Sequence, residues 1–331
     1  MTSAQAPSEA LNGSPRDHLL APRTRLALRA QDRLLQAARD YLHGEGFTEI
    51  LPPLVGPVTD PGARGAKQVD IDYYGHRYKL MTSGILYKQT ALLSFDRVFT
   101  VAPNIRLEPL ETAATHRHLA EFHQIDVELG DAGRDEAMAI AEGLVTAMFE
   151  AFGPWWEAEP GSPGRDASWP TPGKPFDRLT HEAAVKRLRD LGHPQDPRTE
   201  IDWEGEELLS RHLDVPTFVT DYPKGSRGFY DREDPDNPGT LRNFDLLAPG
   251  GYGELCSGGE REFEYRRVVE RIRETGENPA KYGWYLDVLR QGIPRSAGFG
   301  IGVQRFTRYA CGLDAVWQAS AYPKVPGVVA P

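Results

Sequence analysis

Four short stretches hold residues whose types and spacing suit chemistry on a phosphorylated substrate. In NIRLE, Arg106 and Glu108 stand two apart, so on a strand both side chains face the same way. A planar, permanently charged guanidinium beside a carboxylate acceptor suits gripping a phosphate and reading an amino group; taken alone, such a pair is more simply a surface ion pair. THRHLAEF places His116, Arg117 and His118 on a loop before Phe122, a set that can gather around anionic oxygens while the aromatic stacks on a base. A zinc site from His116, His118 and His123 has no cysteine close by and lacks the helical spacing of a zinc motif. In FDLLAPGGYGELCSGGER, Asp245 and Glu254 bracket a glycine turn, which can bring two hard oxygen ligands together for Mg²⁺, and Arg261 follows, able to take a carboxylate. GFGIGVQR alternates Gly298, Gly300 and Gly302; on a strand this leaves one face without side chains, a flat slot that Phe122 can close and that Arg305 ends. The dinucleotide pattern G-x-G-x-x-G is not met, because Val303 stands where its third glycine would be. Together these are the requirements for activating a carboxylate with ATP: an adenine slot, arginines for phosphates and acids for magnesium.

Holding such groups in place takes a sheet. EFHQIDVELG puts Phe122, Gln124, Asp126 and Glu128 on one face and Ile125, Val127 and Leu129 on the other, the alternation of a half-buried antiparallel strand with a polar working face. RVFTVAPNIRLEP precedes it as a second strand, and VPTFVTDYP and NFDLLAPGGYGELCSGGE supply more. Ala27, Ala30, Leu34, Ala38 and Tyr41 recur at helical spacing until Gly44 and Gly46 stop them; residues 134–152, REFEYRRVVERIRETG and VQRFTRYACGL read as further helices. Hairpin-linked strands without regularly alternating helices predict an α+β fold with an antiparallel sheet. Residues 1–16, small, polar and proline-bearing, read as a disordered tail. Residues 17–331 then form one catalytic domain, with the Pro/Gly-rich stretch of about 154–200 as an insertion.

The 331 residues are 40% hydrophobic, enough for one large domain or two small ones. A formal net charge of -10 weakens any nonspecific attraction to phosphate backbones. Cys256 and Cys311 are the two cysteines, no export signal opens the sequence, and no apolar run approaches the length of a membrane span. The expectation is a cytoplasmic protein with free thiols and no membrane partner.

The order of these stretches resembles a known family. GFTEILPP looks like motif 1 of the class II aminoacyl-tRNA synthetase catalytic domain, RVFTVAPNIRLEP with THRHLAEF like motif 2, and GFGIGVQR like motif 3, in the aspartyl and asparaginyl branch. The likeness runs from about residue 24 to the C-terminus. Within that branch, PVTDP, APNIRLE, GYGELCSGGEREFEY and YPKVPG resemble the archaeal-type asparagine synthetase related to these tRNA ligases. The ligases carry an anticodon-reading OB-fold ahead of motif 1, where this sequence has a short tail. The resemblance implies an antiparallel sheet flanked by helices, ATP and Mg²⁺ as cofactors, and a homodimer built through motif 1. It implies activation of aspartate, through its β-carboxylate, as an acyl-adenylate passed to ammonia to give asparagine. A paralogous ligase joining aspartate or a similar acid to another nitrogen nucleophile is the alternative, ahead of tRNA aminoacylation or a noncatalytic amino-acid-binding paralogue; the partners are then small molecules, and tRNA is not expected among them.

By position, the resemblance assigns Arg106 to the α-phosphate and Arg305 to the γ-phosphate as the catalytic pair. Glu108 would read the adenine amino group, Phe122 would stack on the base, and Gly300 and Gly302 would floor the slot. Arg117 and His118 would help on the distal phosphates, and Asp245 and Glu254 would hold Mg²⁺. Lys88, Arg261, Ser83 and Asp60 would bind the amino-acid substrate. Two positions depart from the pattern: Gln304 stands where relatives carry an acid, and Lys324 where an arginine is usual.

Overall fold

The alternating run Glu121–Gly130 does become a strand, with Ile125, Val127 and Leu129 buried. The computed structural model describes residues 14–61, 66–162 and 175–328. In chain order its strands are β1 (Thr48–Glu49), β2 (Val55–Gly56), β3 (Asp70–Tyr73), β4 (His76–Leu80), β5 (Arg97–Ile105), β6 (Glu121–Gly130), β7 (Asp177–Thr180), β8 (Thr217–Thr220), β9 (Asn243–Ala248), β10 (Gly253–Glu260) and β11 (Ser296–Gly302). Eight of them form one sheet in the order β1-β5-β6-β11-β10-β9-β8-β7. The pairs from β5 through β8 are antiparallel, as expected, but each edge is closed by a parallel strand, β1 on β5 and β7 on β8. The sheet is therefore mixed. A small second sheet, β2-β4-β3, lies apart from it in the ladder.

One face of the large sheet is the core. Ile125, Val127, Phe299 and Ile301 join the buried stripe of helix Pro22–Gly44 (Ala27, Ala30, Leu34, Ala38) and helix Arg134–Ala158 in one apolar cluster. Each fully buried Phe, Leu or Ile there contributes about 1.5–3 kcal/mol relative to exposure. The two helices approach closely because Gly143 has no side chain; a Cβ would run into the Tyr41 hydroxyl. That leaves the opposite face of the sheet to the site.

Two boundaries differ from the sequence reading. A helix already begins at Pro15, its Ser14 cap accepting a hydrogen bond from the Asp17 amide; residues 1–13 of the expected tail lie outside the described residues. In the expected insertion, the long helix continues through Pro154 to Ala158, and β7 then extends the main sheet beside β8; residues 163–174 lie outside the described residues. Among the described residues, no helix is long and apolar enough to cross a membrane.

Candidate active site

The two halves of the site read separately in the sequence are neighbours in the sheet. Gly298, Gly300 and Gly302 of β11 stand opposite Glu128, Asp126 and Gln124 of β6. A Cβ on Gly298 would collide with the Glu128 carboxylate and the Val127 carbonyl, and one on Gly300 would lie 2.7 Å from Asp126 Oδ1. The bare face is thus partly filled by carboxylates from the adjacent strand, and Gly298 makes room for Glu128 rather than for a ligand.

Two cations lock these carboxylates. Lys88 Nζ donates to Asp126 Oδ1 at 3.0 Å and to the carbonyls of Val127 and Phe299, each at 3.2 Å, with Glu128 Oε2 3.5 Å away. Arg261 Nε donates to Glu128 Oε1 at 3.0 Å, its Nη2 to Oε2 at 3.2 Å, and its Nη1 to Asp231 Oδ1 at 3.4 Å. All five side chains are buried. Three carboxylates therefore surround two cations, and each nitrogen of Lys88 and Arg261 already has a protein partner.

Burial pushes the Asp231 carboxyl up to about 6, against the opposing charge of Arg261. The folded chain favours its protonated form, so its contribution to stability is complete below the ordinary carboxylate range and is lost as pH rises through about 6. Asp231→Asn should remove part of the fall in unfolding free energy between pH 5 and 7, measured by urea titration at each pH. An unchanged pH slope would show that Asp231 does not titrate in that window.

Above this floor the cleft has two lobes. The inner lobe, about 960 Å³ with its open mouth, is lined by Asp60, Ser83, Lys88, Asp126, Asp231 and Arg261 among others. The outer lobe, about 500 Å³, is walled by Phe122, Arg117, Gly302 and Gln304. Arg106, Glu108, His118, Gly300, Glu254 and Arg305 face both. The Arg106 guanidinium lies over the Phe122 ring at 5.2 Å, and its Nε donates to the Thr82 carbonyl at 3.0 Å. Arg305 donates to the carbonyl oxygens of Arg117 and Glu254 and lies 3.5 Å from the Glu254 carboxylate. Gln304 accepts from the His123 amide at 2.9 Å, which anchors the start of the helix that carries Arg305.

The strand register slips between Glu254 and Cys256. A bulge of this kind re-aims side chains: Leu255 and Cys256 both enter the core, while Glu254 and Ser257 both face the cleft. Asp245, opposite Ser257, is fully buried behind the cleft wall, with Oδ2 accepting from Arg227 Nη2 at 2.5 Å. Burial pushes its carboxyl up to about 6, partly offset by Arg227, with Glu254 close enough to raise it further.

Arg227 also pairs with Glu200 at 3.1 Å. Arg227, Tyr230, Asp231 and Glu200 all line the inner lobe, and the sequence reading singled out none of them. The signal of Arg227, Tyr230 and Asp231 was present only as the polar and aromatic residues of YPKGSRGFYD, in a segment with no regular periodicity, and Glu200 closes the Pro/Gly-rich stretch read as an insertion.

A family model described as tRNA synthetases class II (D, K and N) matches residues 16–326. The chain belongs to that family. This class II synthetase is 31% identical over 315 residues to the asparagine–tRNA ligase of Pyrococcus abyssi, covering 95% of this chain and 71% of that protein. It is also 31% identical over 300 residues to the asparagine–tRNA ligase of Lactobacillus delbrueckii subsp. bulgaricus, covering 90% and 68%. The crystal structure of Pyrococcus horikoshii asparaginyl-tRNA synthetase complexed with asparaginyl-adenylate superposes with a TM-score of 0.87 at 27% identity, over 100% of this chain and 77% of that one.

These likenesses correct two expectations. Asparagine synthesis from aspartate and ammonia, with its relation to asparagine synthetase, is replaced by relatives that are asparagine–tRNA ligases, and so is the expectation that tRNA is no partner. The physical reason is that forming an acyl-adenylate needs the same nucleotide-binding groups whatever nucleophile follows.

Class II synthetases use ATP with Mg²⁺, and the residues here fit the ion. Asp245 Oδ1 is buried without a hydrogen-bond partner among the described residues, the bulge turns Glu254 to the same face, and two carboxylate oxygens with phosphates and water suit Mg²⁺.

Proposed function

We propose that this class II synthetase activates asparagine with ATP as asparaginyl-adenylate and transfers the asparaginyl group to tRNA. The observation that carries the choice of amino acid is the floor of the inner lobe. Lys88 and Arg261 are engaged by Asp126, Glu128 and Asp231, so the floor carries no surplus positive charge with which to hold a second carboxylate. A neutral carboxamide, which both donates and accepts hydrogen bonds, suits such a floor better than aspartate. Lys88 and Arg261 then frame the substrate pocket, with Ser83 and Asp60 also in its lining. The names of the relatives point the same way.

In the first step the α-carboxylate oxygen attacks the α-phosphorus and pyrophosphate leaves. Arg106 stabilises the charge that develops on the phosphoryl oxygens, while Phe122 and Glu108 hold the adenine and Arg305 with His118 holds the distal phosphates. Asp245 and Glu254 would hold Mg²⁺, which when bound neutralises phosphate charge. In the second step the terminal ribose hydroxyl of tRNA attacks the activated carbonyl and AMP leaves. No side chain acts as a covalent nucleophile; holding the reactants in register supplies much of the rate.

The test is amino-acid-dependent exchange of labelled pyrophosphate into ATP, followed by charging of total tRNA. Exchange with asparagine at least tenfold above aspartate, and acid-precipitable asparaginyl-tRNA, are expected. Exchange driven by aspartate instead, or no charging despite exchange, would overturn the reading.

A further inference from the structure

Arg117 is buried, yet two of its three nitrogens, Nε and Nη1, have no hydrogen-bond partner among the described residues. The third, Nη2, meets Glu206 Oε2 at 2.5 Å, and Glu206 is itself completely buried. Glu206 sits on helix Trp203–Arg211, which starts at the Asp202 cap. The helix reaches the cleft wall at a second point as well: Ser210 Oγ accepts from the amides of Gly251 and Gly253, at 3.1 and 3.0 Å, in the turn that leads to Glu254. Gly253 is bare where Arg117 lies against it; a Cβ there would sit 2.6 Å from the guanidinium carbon.

A buried ion pair of this kind adds little net stability compared with an apolar pair of the same volume. Its position suggests another use. Arg117 lines the outer lobe with Arg305, and its carbonyl accepts from Arg305 Nε at 3.2 Å. Arg308 stands close behind, its guanidinium pushed down to about 10 by burial and then by the charge of Arg117. Two guanidiniums, Arg117 and Arg305, side by side in the lining of the outer lobe call for an anion, and one of them already carries two unpartnered donors.

We propose that Glu206 is a positioning residue for the nucleotide site, orienting Arg117 so that its unpartnered Nε and Nη1 take the polyphosphate of ATP. The proposal rests on the reading of the cleft as an ATP site. It ties helix Trp203–Arg211, before β8, to the grip on the nucleotide: the acid takes one of Arg117's three contact directions and leaves the other two for the polyphosphate.

Calorimetric binding of ATP and of AMP to the full chain, with Mg²⁺, tests it, alongside ATP–pyrophosphate exchange. Glu206→Gln should weaken ATP binding about tenfold, leave AMP within about twofold, and raise the KM for ATP in exchange while the KM for asparagine stays unchanged. Glu206→Asp should recover most of the ATP affinity. Should Glu206→Gln fail to fold, the double variant Glu206→Met/Arg117→Met removes both charges and should show the same selective loss of ATP. Unchanged ATP affinity in either variant, or equal losses for ATP and AMP, overturns the positioning role. A wild-type chain that binds no ATP overturns the reading of the cleft and this proposal with it.

Discussion

Replacing Arg106 by alanine should lower asparagine-dependent ATP–pyrophosphate exchange about 10²–10³-fold while leaving the unfolding free energy within about 0.5 kcal/mol of wild type. The rate effect follows from what the guanidinium is free to do. Its Nε is spent on the Thr82 carbonyl and its plane lies over Phe122, which leaves the Nη end of a rigid fork facing both lobes of the cleft. Removing one preorganised donor from a site of developing charge costs about 2.7–4 kcal/mol in the transition state. The stability effect is small because the side chain is only half-buried and its main-chain bond, from the Arg106 amide to the Ala120 carbonyl at 2.8 Å, is kept in the variant. Arg106→Lys restores the charge but not the planar fork, so it should recover less than a tenth of the lost rate. Exchange within about twofold of wild type for Arg106→Ala would show that the α-phosphorus reacts elsewhere.

How much of this was legible in the sequence depended on whether a residue's partner lay on its own strand. The polar face Phe122, Gln124, Asp126, Glu128 follows from period-two alternation alone, and the bare glycine face follows from Gly298, Gly300 and Gly302. That these two faces are one surface, with Glu128 across from Gly298, is a matter of register between strands separated by more than 150 residues, and no local pattern reports it. The sequence reading therefore gave the whole glycine face to a ligand, when a carboxylate from β6 takes the first position. The bulge at Glu254 is illegible for the same reason: simple alternation would put Glu254 and Ser257 on opposite faces, and only the pairing with β9 shows that they share one.

Arg227, Asp231 and Glu200 were missed because they come from irregular or inserted segments, and Glu206 because it stands in the acidic run of a short helix, Trp203–Arg211; in both settings polarity is read as solvent exposure. Asp231, Glu206 and their partners Arg261 and Arg117 are buried instead. The distinction between amide synthesis and tRNA charging was hidden at a different level. Both begin with attack of a carboxylate on ATP, so Arg106, Glu108, Phe122 and Arg305 are wanted in either case; the relatives named as asparagine–tRNA ligases separated the two.

Lys88→Met should be the most destabilising single change in the floor of the cleft, lowering the unfolding free energy by about 3–5 kcal/mol at pH 7. Methionine matches the length of the lysine stem and fills its apolar path, so the loss isolates the charge. Without Nζ, the Asp126 carboxylate loses its cation, the Val127 and Phe299 carbonyls each lose a donor, and Glu128 keeps Arg261 alone. Breaking a buried pair by removing one partner costs this much because an uncompensated charge is left out of water. The sign of the pH dependence separates this account from lost packing. An orphaned buried carboxylate opposes folding while it is ionised, and protonation relieves it, so the deficit should shrink as pH falls from 7 to 5. Adding Asp126→Asn should recover part of the deficit at pH 7, because the neutral amide needs no cation. Urea unfolding of wild type, Lys88→Met and Lys88→Met/Asp126→Asn at both pH values decides it. A deficit below about 1 kcal/mol, or one of equal size at pH 5 and 7 that the second substitution does not reduce, would mean that Lys88 is not what holds the carboxylates of β6 against the glycines of β11.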